Sequence, residues 1–238
     1  MSQETAIESF KKFQHTWIGQ LQHHLNHLRS VQNHHRNSAT GDEERLREAV
    51  QRVMELCREY HRAKLATTEK DVVGVMAAPW SSALERSLHG LVIGDQLPCF
   101  IWFTPSLVFC LSLVSLIFSG GFVPVISVIY LLLNSGRKVS ELQCETVKEE
   151  NAITEELSEW QDDASELVMG TVSNLDQRIR RLAEIVHRAD DLRLRTITGV
   201  VELLSPLQQA EFLIAAAELR RGVSGWGSSH DRRRSANV

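Results

Sequence analysis

Histidine is the residue type this sequence offers most freely for chemistry. His15, His23, His24, His27, His34 and His35 crowd into one short N-terminal stretch. Imidazole is the side chain that most readily holds a metal or a haem iron near neutral pH. His23 and His27 are four residues apart, so on a helix they stand one turn above each other and could face one metal or haem iron. No carboxylate or cysteine recurs at a matching spacing in this stretch. A histidine-rich solvated face is the competing reading. His23 and His27 are the candidate cofactor-binding pair, for haem or a metal.

Other chemistry is sparse. There is no Gly-x-Ser-x-Gly elbow, no phosphate-binding glycine loop and no His-Glu-x-x-His pair. Ser81 and Ser82, after "APW", suit a helix cap better than a nucleophile. The acidic run "EENAITEELSEWQDD" reads as a solvated helix face rather than an acid–base pair. No catalytic residue is assigned, and an enzyme is not expected. Arg232, Arg233 and Arg234, preceded by Arg220 and Arg221, could touch nucleic acid or an import receptor; a solvated basic tail is the plainer account.

The elements that must position these residues are helical. Ile7, Phe10, Phe13, Trp17, Leu21, Leu25 and Leu28 recur at spacings of three and four, which places them on one helix face. "NSATGD" interrupts the pattern and offers Asp42 as an N-cap. Leu46, Val50, Val53, Met54, Cys57 and Tyr60 then form a second apolar stripe. A long acidic helix is expected from Val139 to Val168 and another from Val172 to Leu204. The last begins with Ser205 as N-cap and Pro206 at the first helical position. The predicted fold is all-α, a bundle of long amphipathic helices, with residues 222–238 as a disordered basic tail.

Composition narrows the function. A chain of 238 residues can bury a sizeable helical core. Its net charge of -4 and pI near 6.2 argue against a general nucleic-acid binder. Cys57, Cys99, Cys110 and Cys144 show neither metal spacing nor disulfide density, which fits a reducing compartment. The N-terminus lacks the apolar core of a secretory signal.

The flanks of the chain carry a resemblance. "AAPWSSALERSLH", "RKVSELQCETVKEENAITEELSEWQDD" and "LLSPLQQAEFLIAAAELRRGVSGWG" resemble the delay-of-germination (DOG) domain of plants, and "ESFKKFQHTWIGQLQHHLNHL" resembles its opening helix. The DOG domain is then expected over residues 1–221. The same domain forms the C-terminal part of TGA-type basic-zipper transcription factors. The resemblance implies a non-enzymatic regulator of DNA-templated transcription, seed dormancy or development, acting in the nucleus and cytoplasm. It implies regulatory proteins as partners, TGA-type factors among them, and self-association. Sequence-specific DNA binding would follow only by transfer from those factors, because no basic region with leucine heptads precedes the domain.

One segment departs from the family. From Gln96 to Gly136 no side chain is charged, and the family's Trp-x-Gly-x-Trp-Arg-Pro-Thr is replaced after His89 by "GLVIGDQLP". Reading plausible codons one nucleotide earlier restores the motif. CAT for His89 followed by GG of Gly90 gives TGG, tryptophan, and Ile93 into Gly94 gives TGG again. Asp95, Gln96 and Leu97 permit Arg-Pro-Thr. "FIWF" permits Phe-His-Leu-Val, its valine fixed by Trp102 and Phe103. The visible frame resumes at "RKVSELQ". A T-rich wobble base moved to the middle of a codon encodes only apolar residues, which accounts for the hydrophobicity. Residues 90–136 therefore read as a frameshifted, aberrant apolar segment. As written, Phe100 to Phe118 is nearly long enough for a membrane span, and a membrane-anchored helical protein is the alternative if that segment is genuine.

Overall fold

The computed structural model describes residues 5–37, 43–89, 123–168 and 175–236. They form α1 (Ala6–Asn37), α2 (Glu43–Ala77), α3 (Ala83–His89), α4 (Val123–Val168), α5 (Leu175–Leu203) and α6 (Pro206–Ala236). No strand occurs among the described residues. The all-α expectation holds.

The apolar stripes dictate the pairing. Ile7, Phe10, Trp17, Leu25 and Leu28 of α1 are buried against α2, which runs antiparallel to it. Phe10, Phe13, Trp17, Tyr60 and Trp80 form an aromatic cluster, with the Trp17 and Tyr60 rings 4.6 Å apart. The Trp17 indole N–H donates to the Leu56 carbonyl at 2.8 Å, which satisfies its one polar atom inside the core. Leu46, Val50, Val53 and Met54 of α2 join Leu25 and Leu28 with Ile197 and Val201 of α5 and Leu213 of α6. A second core holds Val72 of α2, Ile153 and Leu157 of α4, and Leu182, Ile185 and Val186 of α5.

Helix α2 is kinked at Asp71, whose backbone is extended (φ -155, ψ 76). The Asp71 carboxylate accepts the Gly74 N–H at 2.8 Å and so caps the last turn. A Cβ at Gly74 would lie 2.7 Å from Ile7 Cγ1, so glycine here lets the start of α1 approach. The expected boundary before the last helix is present: α6 begins at Pro206, and the Gln208 side chain accepts the Ser205 N–H at 3.0 Å.

The long acidic helix begins earlier than expected, at Val123, so the backbone of 123–136 is helical and continuous with the family-like part of α4. The remainder of the apolar segment, including Phe100 to Phe118, lies outside the described residues, as does Asp42. Among the described residues no helix is long and apolar enough to cross a membrane.

The C-terminal tail requires a correction. Residues 222–236, expected as a disordered basic tail, continue α6 as far as Ala236. Three glycines and a run of arginines suggested an unstructured end, but tertiary contacts stabilise the helix. The Asp231 carboxylate accepts the Ala83 N–H at 2.9 Å, and Gly227 is buried against Ser82 and Leu84 of the α3 region.

Candidate functional site

The sequence-predicted histidines lie on α1 and remain near the surface. His23 and His27 are exposed on the same face, and His24 is half-buried between them and α2. The His23 and His24 rings meet edge to face at 5.4 Å. Burial holds the His24 imidazole below its usual pKa; His23, Arg52 and His27 add to this, and Glu59 opposes it. Among the described residues no group of three or more His, Cys, Asp or Glu side chains converges as a metal site.

The most deeply buried polar cluster was not singled out by the sequence. Lys64 of α2 is 1% exposed, and Asp190 of α5 is 4% exposed. The Lys64 ammonium stands 3.1 Å from both carboxylate oxygens of Asp190 and donates to Oδ1. Arg193, one turn further along α5, donates to the same carboxylate. The largest influence on Asp190 is burial, which opposes ionisation. The two neighbouring cations and their hydrogen bonds outweigh it and hold the carboxyl below the usual range. Thr146 of α4 and Thr196 of α5 stand 3.3 Å apart, hydroxyl to hydroxyl, and extend this polar layer. Every charge here is turned inward, so the cluster organises helices and presents nothing to a ligand.

Cys57 is chemically quiet. Burial pushes its thiol up to about 11 against the opposing pull of Arg220 and Arg58, so it stays protonated at neutral pH.

A recess opens where α3 meets the end of α6. Ser82 caps α3 through a reciprocal pair: its hydroxyl accepts the Glu85 N–H at 3.2 Å, and the Glu85 carboxylate accepts the Ser82 N–H at 2.8 Å. The capping role expected for this serine is present. Gly227 is the contact point on α6, because a Cβ there would fall 2.0 Å from Ser82 Oγ and 2.7 Å from its Cβ. Beside this contact lies a groove of about 530 Å³, with Ala83 and Leu84 on one wall and Trp226, Ser229, His230, Arg233 and Arg234 on the other. Trp226 is 76% exposed. The arginines were legible in the sequence as a cluster; the exposed tryptophan beside them was not. Its spacing from Leu219 alone gives no sign of which way it faces.

Comparison with known proteins finds plant relatives. The family model DOG1, seed dormancy control, matches residues 24–95. Over that stretch the chain is similar to the DOG1 family. Protein DOG1-like 4 of Arabidopsis thaliana is 25% identical over 237 residues, covering 93% of this chain and 93% of that protein. Protein DOG1-like 2 of the same plant is 31% identical over 105 residues, 41% of this chain and 39% of that protein. Transcription factor HBP-1b(c1) of Triticum aestivum is 23% identical over 219 residues, 85% of this chain but 40% of that factor. The expected resemblance to the DOG domain is borne out, and the weaker likeness to a transcription factor fits the relationship expected from it. The family match ends at residue 95, just inside the 90–136 segment.

Proposed function

We propose that this chain is a non-enzymatic plant regulatory protein acting in the nucleus through protein partners, TGA-type basic-zipper factors among them, to control transcription in seed dormancy or development. The observation that carries this reading is the span of the similarity: 93% of Arabidopsis DOG1-like 4, and 85% of this chain against two-fifths of a wheat transcription factor. Physical chemistry favours action through proteins over reading of DNA. The net charge is -4, and a duplex-binding surface needs several cations aligned with successive phosphates. Among the described residues the helical surface offers ion-paired faces and an apolar groove instead.

The test has two arms. Affinity capture with the full chain from seed nuclei should recover a basic-zipper factor, and tethering the chain to a reporter promoter should change transcription. A gel shift with the isolated protein should show only weak, sequence-indifferent retention. Specific nanomolar DNA binding by the protein alone would overturn the partner-mediated reading.

A second reading is that His23 and His27 hold haem or a metal. It is favoured by their placement one turn apart on an exposed face of α1, with His24 beside them. A Soret band that appears on haem titration and is lost in the His23→Ala/His27→Ala double variant would support it. An unchanged haem spectrum on addition of protein would remove it.

A further inference from the structure

The groove between α3 and the end of α6 differs from the rest of the surface in two ways. Its lip is the indole of Trp226, 76% exposed, whereas Trp17 is 3% exposed. A large aromatic left in solvent beside an apolar wall is the composition of an energetic centre in a protein interface. The second difference is charge. Arginines that join helices elsewhere each hold a carboxylate: Arg29 with Glu218, Arg36 with Glu211, Arg188 with Glu156 and Arg195 with Glu149. Between Leu219 and Ala236 there are five arginines and a single aspartate. That aspartate, Asp231, is engaged by the Ala83 N–H. Arg220 lies 4.9 Å over the Trp17 ring, and Arg232 Nε donates to the Ser228 carbonyl. Arg233 and Arg234 form no ion pair among the described residues, and both line the groove.

We propose that this groove docks an acidic peptide segment of a partner protein, one bulky apolar side chain packing on Trp226 and flanking carboxylates pairing with Arg233 and Arg234. The proposal deepens the regulatory reading and rests on it for the existence of a partner. Leu84 and the indole supply an apolar seat, and guanidinium groups pair bidentately with carboxylates. The site is held in shape before binding, because the Gly227 contact and the Ala83–Asp231 hydrogen bond fix α3 against α6, and the Ser82–Glu85 cap fixes the start of α3. Preformed geometry lowers the entropic cost of association. A nucleic acid fits less well. Two neighbouring guanidiniums beside an apolar wall do not make the extended basic track a phosphate backbone needs.

The probe is a fluorescein-labelled, glutamate-rich peptide with one central phenylalanine, titrated by anisotropy with the full chain at low salt. Controls are the same peptide with glutamines for glutamates and with alanine for phenylalanine. Saturable binding is expected, weakened about tenfold or more by either change and by salt. Trp226→Ala and Arg233→Glu/Arg234→Glu should each weaken it by a similar factor with an unchanged circular dichroism spectrum. Arg221→Glu, an exposed charge reversal on the same helix outside the groove, should have a much smaller effect. Absent binding to wild type, equal binding by the groove variants, preference for duplex DNA, or self-association abolished by those variants would each overturn the proposal. Groove variants that bind no peptide yet retain full partner capture and reporter activity would also overturn it, while leaving the regulatory reading intact. A chain that binds the peptide but neither captures a partner nor affects the reporter would overturn that reading and leave the groove's chemistry standing.

Discussion

Lys64 and Asp190 are 126 residues apart in sequence and meet as a fully buried ion pair between α2 and α5, with Arg193 donating to the same carboxylate. Asp190 is the shared anion of two buried cations, so the two ends of the pair are not equivalent. Asp190→Asn strands both cations without a counter-charge and should cost about 3–5 kcal/mol. Lys64→Met leaves the carboxylate with Arg193 and should cost less. Chemical denaturation of the two variants decides this. A Lys64→Met loss equal to or larger than that of Asp190→Asn would show that the lysine, not the aspartate, is the pivot.

The same pair sets a pH dependence. The Asp190 carboxyl is held below its usual range in the fold, and its unfolded value is about 3.9. Its contribution is therefore complete above about pH 4 and is lost as pH falls through the lower folded value. The stability gap between wild type and Asp190→Asn should narrow in that acid window. Glu150 behaves oppositely: burial raises its carboxyl, with Arg193 opposing, so its ionised form weighs against folding at neutral pH. Glu150→Gln should raise the thermal midpoint at pH 7, and a lowered midpoint would contradict the assignment.

Leu213 on α6 is 6% exposed and belongs to the core shared with Leu25, Val50 and Ile197. Leu213→Ala removes buried methyl groups and leaves a cavity, so it should cost roughly 2–5 kcal/mol. An unchanged urea midpoint would place this side chain outside the core.

Gly227 is required by close approach rather than by backbone conformation. Alanine there would put its methyl carbon 2.0 Å from Ser82 Oγ and 2.7 Å from Ser82 Cβ, and the Cβ is fixed to the backbone and cannot swing aside. Gly227→Ala should therefore push α3 away from α6 and break the Ala83–Asp231 bond. Hydrogen exchange at the α3 amides should accelerate while the amides of α2 and α5 stay protected. Unaltered α3 protection would show that the contact has slack.

The reading frame of residues 90–136 is open to direct measurement. Transcript sequencing, or a close genomic copy, should show one additional base after the codon of Leu88, most simply a second T between His89 and Gly90. A compensating change or aberrant splice should lie near Gly136 to Lys138. The repaired product should remain in the supernatant, because the restored segment carries tryptophan, arginine, histidine and acids in place of an uncharged apolar run. Transcript reads confirming the present frame, together with a stable membrane-integrated product, would restore the anchor reading of 100–118.

Local pattern made much of the architecture legible. Apolar residues recurring at three and four marked the buried faces of α1 and α2, because helix geometry fixes which side chains share a face whatever lies opposite. Ser205–Pro206 and Ser82 announced their helix starts through backbone chemistry that spans three or four residues. The resemblance of the flanks identified the domain for the same reason: its motifs are contiguous. Tertiary structure decided the remainder. A lysine at position 64 reads as a surface charge until α5 brings Asp190 against it, since burial is a property of what packs around a residue. The end of α6, rich in glycine and arginine, has little helical tendency of its own. It is helical because Asp231 and Gly227 find partners on α3, nearly 150 residues earlier in the chain. That same docking places Trp226, Arg233 and Arg234 along one groove, a juxtaposition that sequence spacing alone could not reveal because its opposite wall comes from another helix.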